Sequence, residues 1–271
     1  MASWFDVAGF GYQEFSAGGV RTFAIVEGRT GGVPLVLLHD VPGASFVWST
    51  TVQAIGRERR IIAPDLPGWG RSHNRIAPKQ TVLTPEALRG WLVEVIQAHQ
   101  SERSDIGGIG AGAWLALDYL LGHAAQVRRI ALLNLRLTDR APQRWPWQKR
   151  VWTRERLQKW FDRETGLTEP ARTAAQPQFD ELLAGGWHAR ESPEFPVNLF
   201  RDRVTNYAKA LRSFDGEVLL GWGRRASGYD ERAAAQLAQG RAVVVWSEAA
   251  DFPMWDQPPQ FQAEITDFFQ S

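Results

Sequence analysis

The stretch Asp105-Ile106-Gly107-Gly108-Ile109-Gly110-Ala111-Gly112-Ala113-Trp114 decides the fold of this chain. It begins as a short apolar run, passes through a cluster of glycine and alanine, and leads into a helix-like segment at residues 114–121. This order predicts a strand that turns sharply into a helix, with Gly110 alone at the apex. Gly108 and Gly112 flank the apex, where only small residues fit beside so tight a turn.

Apolar runs and helical patterns alternate on both sides of this turn. Residues 34–38 form a continuous apolar run, which is typical of a central strand buried on both faces. The other predicted strands are residues 21–27, 60–64, 130–135, 218–222 and 242–246. The alternation predicts an α/β fold with a mostly parallel sheet and helices on both of its faces. Binding sites in such sheets lie beyond the carboxyl ends of the strands.

One segment in the middle of the chain interrupts this alternation. Residues 138–213 are rich in arginine and tryptophan, helix-like and punctuated by proline. We therefore predict a core made of residues 1–137 and 214–271, with residues 138–213 inserted as a helical cap. Within the core, Thr84 followed by Pro85 predicts the start of a helix, because threonine is a favoured cap and proline a favoured first residue.

Composition limits the classes of function. A chain of 271 residues, 44% hydrophobic and 23% charged, is ordinary for one soluble α/β domain. A net charge of +1 gives no electrostatic reason to expect nucleic acid or membrane partners. Cysteine is absent, and no histidines or carboxylates have the spacing of metal ligands, so we predict no metal and no other cofactor. The N-terminus has no signal-peptide pattern, so a cytoplasmic location is expected.

Four motifs, in order along the chain, resemble the α/β-hydrolase superfamily. They are the turn His39–Gly43, the block Asp65–Ser72, the strand-turn-helix around Gly110 and the segment Val245–Pro258. The resemblance implies an α/β-hydrolase fold, in which the apex of the strand-turn-helix is the nucleophile elbow and carries serine in active members. It also implies an acid shortly after a late strand and a histidine near the C-terminus.

The three catalytic positions implied by the resemblance hold residues that do not support serine hydrolysis. The nucleophile position is Gly110, the acid position is Ala226 and the base position is Asp251. Hydrolysis through a serine needs a hydroxyl, an imidazole to accept its proton and a carboxylate to orient that imidazole. We therefore predict a degenerate triad, since none of the five histidines falls at the base position.

A second resemblance is to the N-myc downstream-regulated protein family, which has this fold without a working triad. Residues 108–113 and the turn His39–Gly43 are similar to the elbow and to the His-Asp turn of that family. The match covers two short pieces, and it serves here as an analogue for the loss of catalysis.

The elbow region retains groups that can bind a ligand. The resemblance implies that the backbone N–H groups of Val41 and Ala111 form an oxyanion hole braced by His39, which can bind a carbonyl, carboxylate or phenolate oxygen. Asp40 and Asp251 are expected near this site and form a candidate acid-base pair, because two facing carboxylates raise one another's pKa. The alternative is structural, with Asp40 capping the following helix and Asp251 bonding loop amides.

The predicted cap offers aromatic side chains for the wall of a pocket. The candidates are Trp145, Trp147, Trp152 and Trp187. Flat apolar walls favour a small apolar or aromatic ligand, although the same rings can instead pack the cap onto the core. Three functions follow: binding of such a molecule or of a protein without hydrolysis, a non-hydrolytic enzyme such as a cyclase, lyase or isomerase, or a hydrolase with displaced catalytic residues.

Overall fold

The computed structural model describes residues 9–72, 83–135, 155, 158–159, 161, 167–184, 200, 204–226 and 228–270. The strands among them are β1 (Tyr12–Ala17), β2 (Val20–Glu27), β3 (Leu35–Leu38), β4 (Ile61–Pro64), β5 (Ser104–Ile109), β6 (Val127–Leu133), β7 (Glu217–Gly223) and β8 (Val243–Trp246). They form one eight-stranded sheet in the order β1-β2-β4-β3-β5-β6-β7-β8.

The sheet is parallel apart from its first two strands. β1 pairs antiparallel with β2, and β2 pairs antiparallel with β4. The other six strands, which lie side by side in the order β4-β3-β5-β6-β7-β8, are mutually parallel. Central strand β3 is fully buried and pairs with β5 so that Leu38 lies opposite Gly108. This confirms the predicted α/β fold with a mostly parallel sheet. The segments that follow the parallel strands consequently meet at one edge.

Helices flank the sheet. They are α1 (Ser49–Ile55), α2 (Pro85–Ala98), α3 (Ala111–His123), α4 (Glu169–Ala184), α5 (Val204–Arg212), α6 (Glu231–Ala238), α7 (Pro253–Asp256) and α8 (Pro258–Gln270). Helix α3 packs on β3, β5 and β6 and contacts α2 and α5, whereas α1 packs against α8. Of the helices in the described ranges, none combines the length and apolarity that a membrane crossing requires.

Local sequence signals set two element boundaries that position the site. The Thr84 hydroxyl accepts a hydrogen bond from the Ala87 N–H at 3.1 Å, and Pro85 is the first residue of α2, which confirms the predicted start. Strand β6 ends at Leu133, two residues earlier than predicted, because Asn134 has a φ of +47° and leaves the extended conformation.

Of the helices whose bounds are given above, α4 and α5 lie in the segment predicted as the cap. The Tyr207 hydroxyl of α5 donates to Asp118 of α3 at 2.8 Å. The Phe161 ring stacks on Phe179 of α4, with ring centroids 4.2 Å apart, and meets Trp255 of α7 edge-on. The described part of this segment therefore contacts the core directly. The boundaries of the cap at residues 138 and 213 stay predictions, and residue 138 lies outside the described residues.

Candidate functional site

The apex of the strand-turn-helix has the backbone expected of an elbow. Strand β5 ends at Ile109, and α3 begins at Ala111, with Gly110 between them at φ +54° and ψ −114°. The Gly110 N–H donates to the Leu133 carbonyl of β6 at 2.9 Å, and this bond fixes the turn to the neighbouring strand. Residues with a side chain are strained by about 1–3 kcal/mol in this region of φ, so glycine fits here without strain.

Glycine is required at positions 108 and 112, on either side of the apex, because the backbones of neighbouring elements come very close to them. A Cβ atom on Gly108 would lie under 3.0 Å from the Gly112 backbone, and one on Gly112 would lie under 3.0 Å from the Leu38 backbone. Real Cβ atoms do not approach backbone that closely, so β3, β5 and α3 pack at this distance only with glycine at both positions. The structure thus agrees with the sequence-based expectation that only small residues fit beside the apex.

The carboxylate of Asp40 occupies the space at the centre of the elbow. Its Oδ1 accepts hydrogen bonds from the N–H groups of Val41, at 2.8 Å, and Ala111, at 2.7 Å. A Cβ atom on Gly110 would lie under 3.0 Å from the carboxyl carbon and both carboxyl oxygens of Asp40. Asp40 therefore fills the space that a side chain at the apex would need. The side chain is buried, with a relative exposure of 9%.

This geometry corrects the expectation that the two N–H groups are open to a ligand oxygen. The groups of Val41 and Ala111 do converge, as an oxyanion hole requires, but both donate to the chain's own carboxylate. The physical reason is reach: Asp40 immediately precedes Val41, and its short side chain spans the gap between the β3 loop and the first residue of α3. The structural alternative in which Asp40 caps the following helix is also wrong in detail, because the helix it caps is α3, 71 residues along the chain.

His39 braces the loop that carries Asp40. Its ring is fully buried, and the Leu66 N–H donates to Nε2 at 2.8 Å. Because Nε2 accepts, the ring proton lies on Nδ1, which donates to the Asp40 carbonyl at 2.7 Å. Burial lowers the pKa of His39 to about 4, so the ring is neutral at physiological pH. Both ring nitrogens make internal bonds, and the side chain acts on a ligand only through the loop it holds.

Asp65 fixes the second loop at this edge. Its Oδ1 accepts from the Ser45 N–H at 2.6 Å and its Oδ2 from the Arg71 N–H at 2.8 Å. A Cβ atom on Gly70, which has a φ of +54°, would collide with this carboxylate. Burial raises the pKa of Asp65 to about 6, although the two N–H donors oppose the shift. Asp65 therefore has a structural role in joining the loop after β4 to the turn before α1.

Asn134 is a site residue that sequence reasoning missed. Its side-chain amide donates to the carbonyls of Ala250, at 3.3 Å, and Asp251, at 2.8 Å, while its Oδ1 accepts from the Gly223 N–H at 2.9 Å. It therefore connects the ends of β6 and β7 to the loop that carries Asp251. The available signal was a lone asparagine in the apolar run 130–135, since asparagine tolerates positive φ.

The Asp251 loop is held from its other side by Asp256. One carboxylate oxygen of Asp256 accepts from the Ala250 N–H at 2.9 Å and the other from the Thr168 N–H at 3.3 Å. Burial raises the pKa of Asp256, and the nearby charge of Asp251 raises it further, whereas Arg225 opposes the shift. Asp251 itself is half-buried at this edge of the sheet, and its role as an acid or base stays a prediction.

Ala226, the residue at the expected acid position, lies in a turn after β7. Its N–H donates to the Gly223 carbonyl at 3.0 Å, and its carbonyl accepts from the Tyr229 N–H at 3.1 Å. The buried methyl side chain offers no group that could orient an imidazole. Because Asn134 binds both Gly223 and Asp251, the loops that carry positions 226 and 251 are joined.

The tryptophans predicted to wall the pocket, Trp145, Trp147, Trp152 and Trp187, lie outside the described residues. The described residues at this edge contain another group of rings, which we call the aromatic cluster: Phe46, Phe161, Phe179, Phe252 and Trp255. Trp255 is its centre, because it stacks on Phe46 and on Phe252, with ring centroids 6.2 and 4.8 Å apart, and meets Phe161 edge-on. The cluster links the loop after Asp40, the loop after Asp251 and the predicted cap.

Comparison with known proteins places this geometry in a family. A 2-hydroxymuconate semialdehyde hydrolase of a Pseudomonas species is 25% identical over 269 residues, covering 94% of this chain and 93% of the relative. A cis-3-alkyl-4-alkyloxetan-2-one decarboxylase of Xanthomonas campestris is 24% identical, covering 88% of this chain and 89% of the relative. Among solved structures, an enol-lactonase from Burkholderia xenovorans superimposes with a TM-score of 0.77 at 17% identity, covering 96% of this chain and 100% of that one.

The fold and the family follow from these matches together. The structural similarity over nearly the whole chain confirms the α/β-hydrolase fold. A family model described as the alpha/beta hydrolase family matches residues 35–265, which include every described residue of the elbow and of the loops around it. This chain therefore belongs to the alpha/beta hydrolase family.

Proposed function

We propose that this protein is a member of the alpha/beta hydrolase family that lacks the Ser-His-Asp triad and binds a small apolar or aromatic molecule without hydrolysing esters. The observation that supports this most directly is the carboxylate of Asp40, whose Oδ1 accepts from the two N–H groups of the oxyanion hole. The same carboxylate fills the space above Gly110 where a nucleophilic side chain would stand.

The argument from chemistry concerns where charge develops during hydrolysis. Ester hydrolysis passes through a tetrahedral intermediate whose oxyanion is stabilised by preorganised N–H donors, and removal of one donor costs about 10²–10³ in rate. Here the N–H groups of Val41 and Ala111 already stabilise a carboxylate. A substrate oxyanion would have to displace that negative charge to reach them. Gly110 itself has no side chain that could attack a substrate and form the acyl intermediate.

The histidines in the described ranges do not supply a base at the elbow. His39 uses both ring nitrogens inside its own loop. His99 follows the C-terminus of α2 and packs edge-on against Phe15 of strand β1. His123 ends α3, about 18 Å from its first residue for a helix of this length. A displaced catalytic histidine would have to be His73 or His188, which lie outside the described residues.

The experiment is a direct test for serine hydrolase activity. We expect the purified protein to hydrolyse p-nitrophenyl acetate and butyrate no faster than an equal concentration of serum albumin, and to remain unlabelled by a fluorophosphonate probe. Native mass spectrometry of protein purified from its own host is expected to reveal a bound small molecule. Stoichiometric labelling, or ester turnover that is lost in His73→Ala or His188→Ala, would show that the proposal is wrong.

A second candidate is a non-hydrolytic enzyme, and the name of one relative favours it. The Xanthomonas campestris relative is named as a decarboxylase, so a protein similar to this one over most of its length carries a name other than hydrolase. In such an enzyme Asp40 and Asp251 would exchange protons with the substrate. The geometry constrains this candidate, because the N–H groups that hold Asp40 cannot simultaneously hold a substrate oxyanion.

A further inference from the structure

We infer that this chain has a second binding site, at the edge of the sheet opposite the elbow, and that the site takes a small molecule bearing a phosphate group. A cavity of about 390 Å³ lies there, and we call it the arginine cavity. Its walls come from the loop between β2 and β3, the turn before β4, the start of β6 and the end of α8. Its volume is within the range of small-molecule sites, roughly 300–1,000 Å³. The inference goes beyond the proposed function, because the elbow takes no part in it.

Four guanidinium groups line the arginine cavity, those of Arg29, Arg59, Arg60 and Arg128. Arg29 precedes β3, Arg59 and Arg60 precede β4, and Arg128 lies at the start of β6. These three strands are parallel to one another, so the residues at their starts meet at the amino edge of the sheet. The elbow follows the last residue of β5 and therefore lies at the other edge.

One buried carboxylate holds two of the four guanidinium groups in place. Nε and Nη2 of Arg128 donate to the two carboxylate oxygens of Asp105 at 2.9 and 2.6 Å. Nη1 of Arg59 lies 2.8 Å from Oδ2 of Asp105 and also donates to the Phe269 carbonyl at 2.8 Å. The Asp105 side chain is fully buried. Because these bonds order the two guanidinium groups in the folded protein, a ligand loses less affinity by ordering them.

The arginines keep N–H donors for a ligand. Nη1 of Arg128 makes no hydrogen bond to a described residue, since its bonds to Asp105 use Nε and Nη2. Arg60 donates through Nη1 to the Gly28 carbonyl at 3.1 Å. Arg29 is exposed and has no partner within the part of the chain that the structure describes. A guanidinium carries several N–H groups, so Arg29 and Arg60 retain most of theirs.

The charges around the arginine cavity leave it positive. Of the described residues that line it, four carry a positive charge and Glu58 carries a negative one. Asp105, behind Arg59 and Arg128, offsets one more, which leaves about two positive charges. Burial lowers the pKa of Arg59; Asp105 opposes this shift, whereas the charges of Arg128 and Arg129 add to it. These like charges repel one another, and a bound anion relieves that repulsion.

A phosphate monoester matches this cavity in charge and in shape. It carries about −1.5 to −2 at pH 7, close to the positive charge that the cavity leaves unbalanced, and its oxygens are strong acceptors. The planar guanidinium group binds phosphate oxygens through two parallel N–H bonds. Arg29, Arg60 and Arg128 come from three separate segments, so they can approach different oxygens of one tetrahedral group. A neutral molecule would leave the positive charges unbalanced, and a single carboxylate would balance only part of them.

The test compares phosphate esters with their parent alcohols. Phenyl phosphate, glycerol 3-phosphate and ribose 5-phosphate are titrated calorimetrically against the full chain at neutral pH, beside phenol, glycerol, ribose, inorganic phosphate and sulfate. The ionic strength is held at about 0.1 M with sodium chloride, because salt screens exposed charges. We expect at least one ester to bind at least about tenfold more tightly than both its parent alcohol and sulfate.

Variants assign the binding to the arginine cavity. Arg29→Gln and Arg60→Gln leave the pairs with Asp105 intact, and each should weaken binding of the best ester by about three- to tenfold. The matched control is Arg232→Gln, which removes an exposed arginine from α6. This helix follows the carboxyl end of β7, at the opposite edge of the sheet, so the control should bind within about twofold of the wild type.

Each contrary outcome overturns the inference. Esters that bind no better than their parent alcohols, inorganic phosphate that binds while every ester fails, or an equal loss in Arg232→Gln would do so. Sulfate that binds as tightly as the best ester would show a site for an adventitious ion only. If Arg60→Gln does not fold by circular dichroism, Arg29→Gln still decides, because Arg29 makes no hydrogen bond with a described residue. Labelling by a fluorophosphonate would refute the proposed function alone, since the residues of the elbow do not line the arginine cavity.

Discussion

Replacement of Gly110 by alanine should destabilise this protein strongly, and Asp40 should account for most of the effect. The added methyl group would lie under 3.0 Å from the carboxyl carbon and both oxygens of Asp40. The carboxylate must therefore move away from the N–H groups of Val41 and Ala111 to which it is bonded. In addition, alanine would be strained at a φ of +54°.

The magnitude follows from these two contributions. A hydrogen bond to a charged group contributes roughly 1.5–3 kcal/mol, and two such bonds are weakened or lost when the carboxylate moves. The left-handed φ costs alanine about 1–3 kcal/mol. We expect Gly110→Ala to lower the free energy of unfolding by on the order of 4 kcal/mol or more, a large part of the roughly 5–15 kcal/mol typical of a domain. In an Asp40→Ala background only the backbone strain remains, about 1–3 kcal/mol.

The assay is a double-mutant cycle measured by urea denaturation. Tryptophan fluorescence reports unfolding, and the wild type, Gly110→Ala, Asp40→Ala and the double variant give a coupling energy expected to be about 2 kcal/mol or larger. Gly90→Ala is the matched control, because a Cβ atom there meets nothing within 4 Å and its helix α2 gains from alanine. Equal losses from Gly110→Ala in both backgrounds, with a coupling below about 0.5 kcal/mol, would refute the placement of Asp40.

Other predictions concern residues that hold the site together. The pKa of Asp65 is raised to about 6 in the folded protein, so its contribution to the free energy of unfolding is present at low pH and is lost as the pH rises from about 4 to 6. In Asp65→Asn this particular loss should be absent when the free energy of unfolding is measured against pH. His39 has a folded pKa lowered to about 4, so its contribution is lost in the opposite direction, as the pH falls from 6.5 towards 4, and His39→Gln should remove that loss in the same titration. Asn134→Ala removes three hydrogen bonds and places alanine at positive φ, so urea denaturation should show a free energy of unfolding lower by about 2 kcal/mol or more. A decrease under about 0.5 kcal/mol would contradict the role of Asn134 in holding the loops. Tyr207→Phe removes the bond to buried Asp118 and should cost about 1.5–3 kcal/mol in the same assay, with faster proteolysis near α5; unchanged stability would show that this bond does not hold the segment to α3.

The fold could be predicted from the sequence because its signals are local. The apolar run at residues 34–38 and the glycines around Gly110 each indicate their own conformation, and the structure contains the strand and the turn that they predict. From the resemblance, the sequence also predicts that Gly110, Ala226 and Asp251 stand at the three catalytic positions, and this assignment stays a prediction.

The detailed chemistry of the site could not be predicted, because it depends on contacts between distant parts of the chain. Asp40 was expected near the site, but its bond to Ala111 joins residues 71 apart, and no pattern along the sequence gives the direction of that side chain. The same holds for Asn134, which binds Gly223 and Asp251 across 89 and 117 residues. Sequence signals identify which residues reach the carboxyl edge of the sheet, whereas their pairing depends on how the loops pack.

Asp40 and Gly110 are best understood as one structural unit. The carboxylate fits only because the apex has no side chain, and it in turn accepts hydrogen bonds from the N–H groups of Val41 and Ala111. In a serine hydrolase the donors of the oxyanion hole are reserved for a charge that appears only during reaction, and the folded protein gains little from them at rest. Here the same donors bind the Asp40 side chain in the resting protein, so hydrogen bonds of the kind that stabilise a transition state elsewhere contribute to folding stability in this chain. A serine introduced at position 110 alone should therefore not give hydrolysis, because its Cβ would collide with the Asp40 carboxylate and no histidine stands at position 251 to activate the hydroxyl.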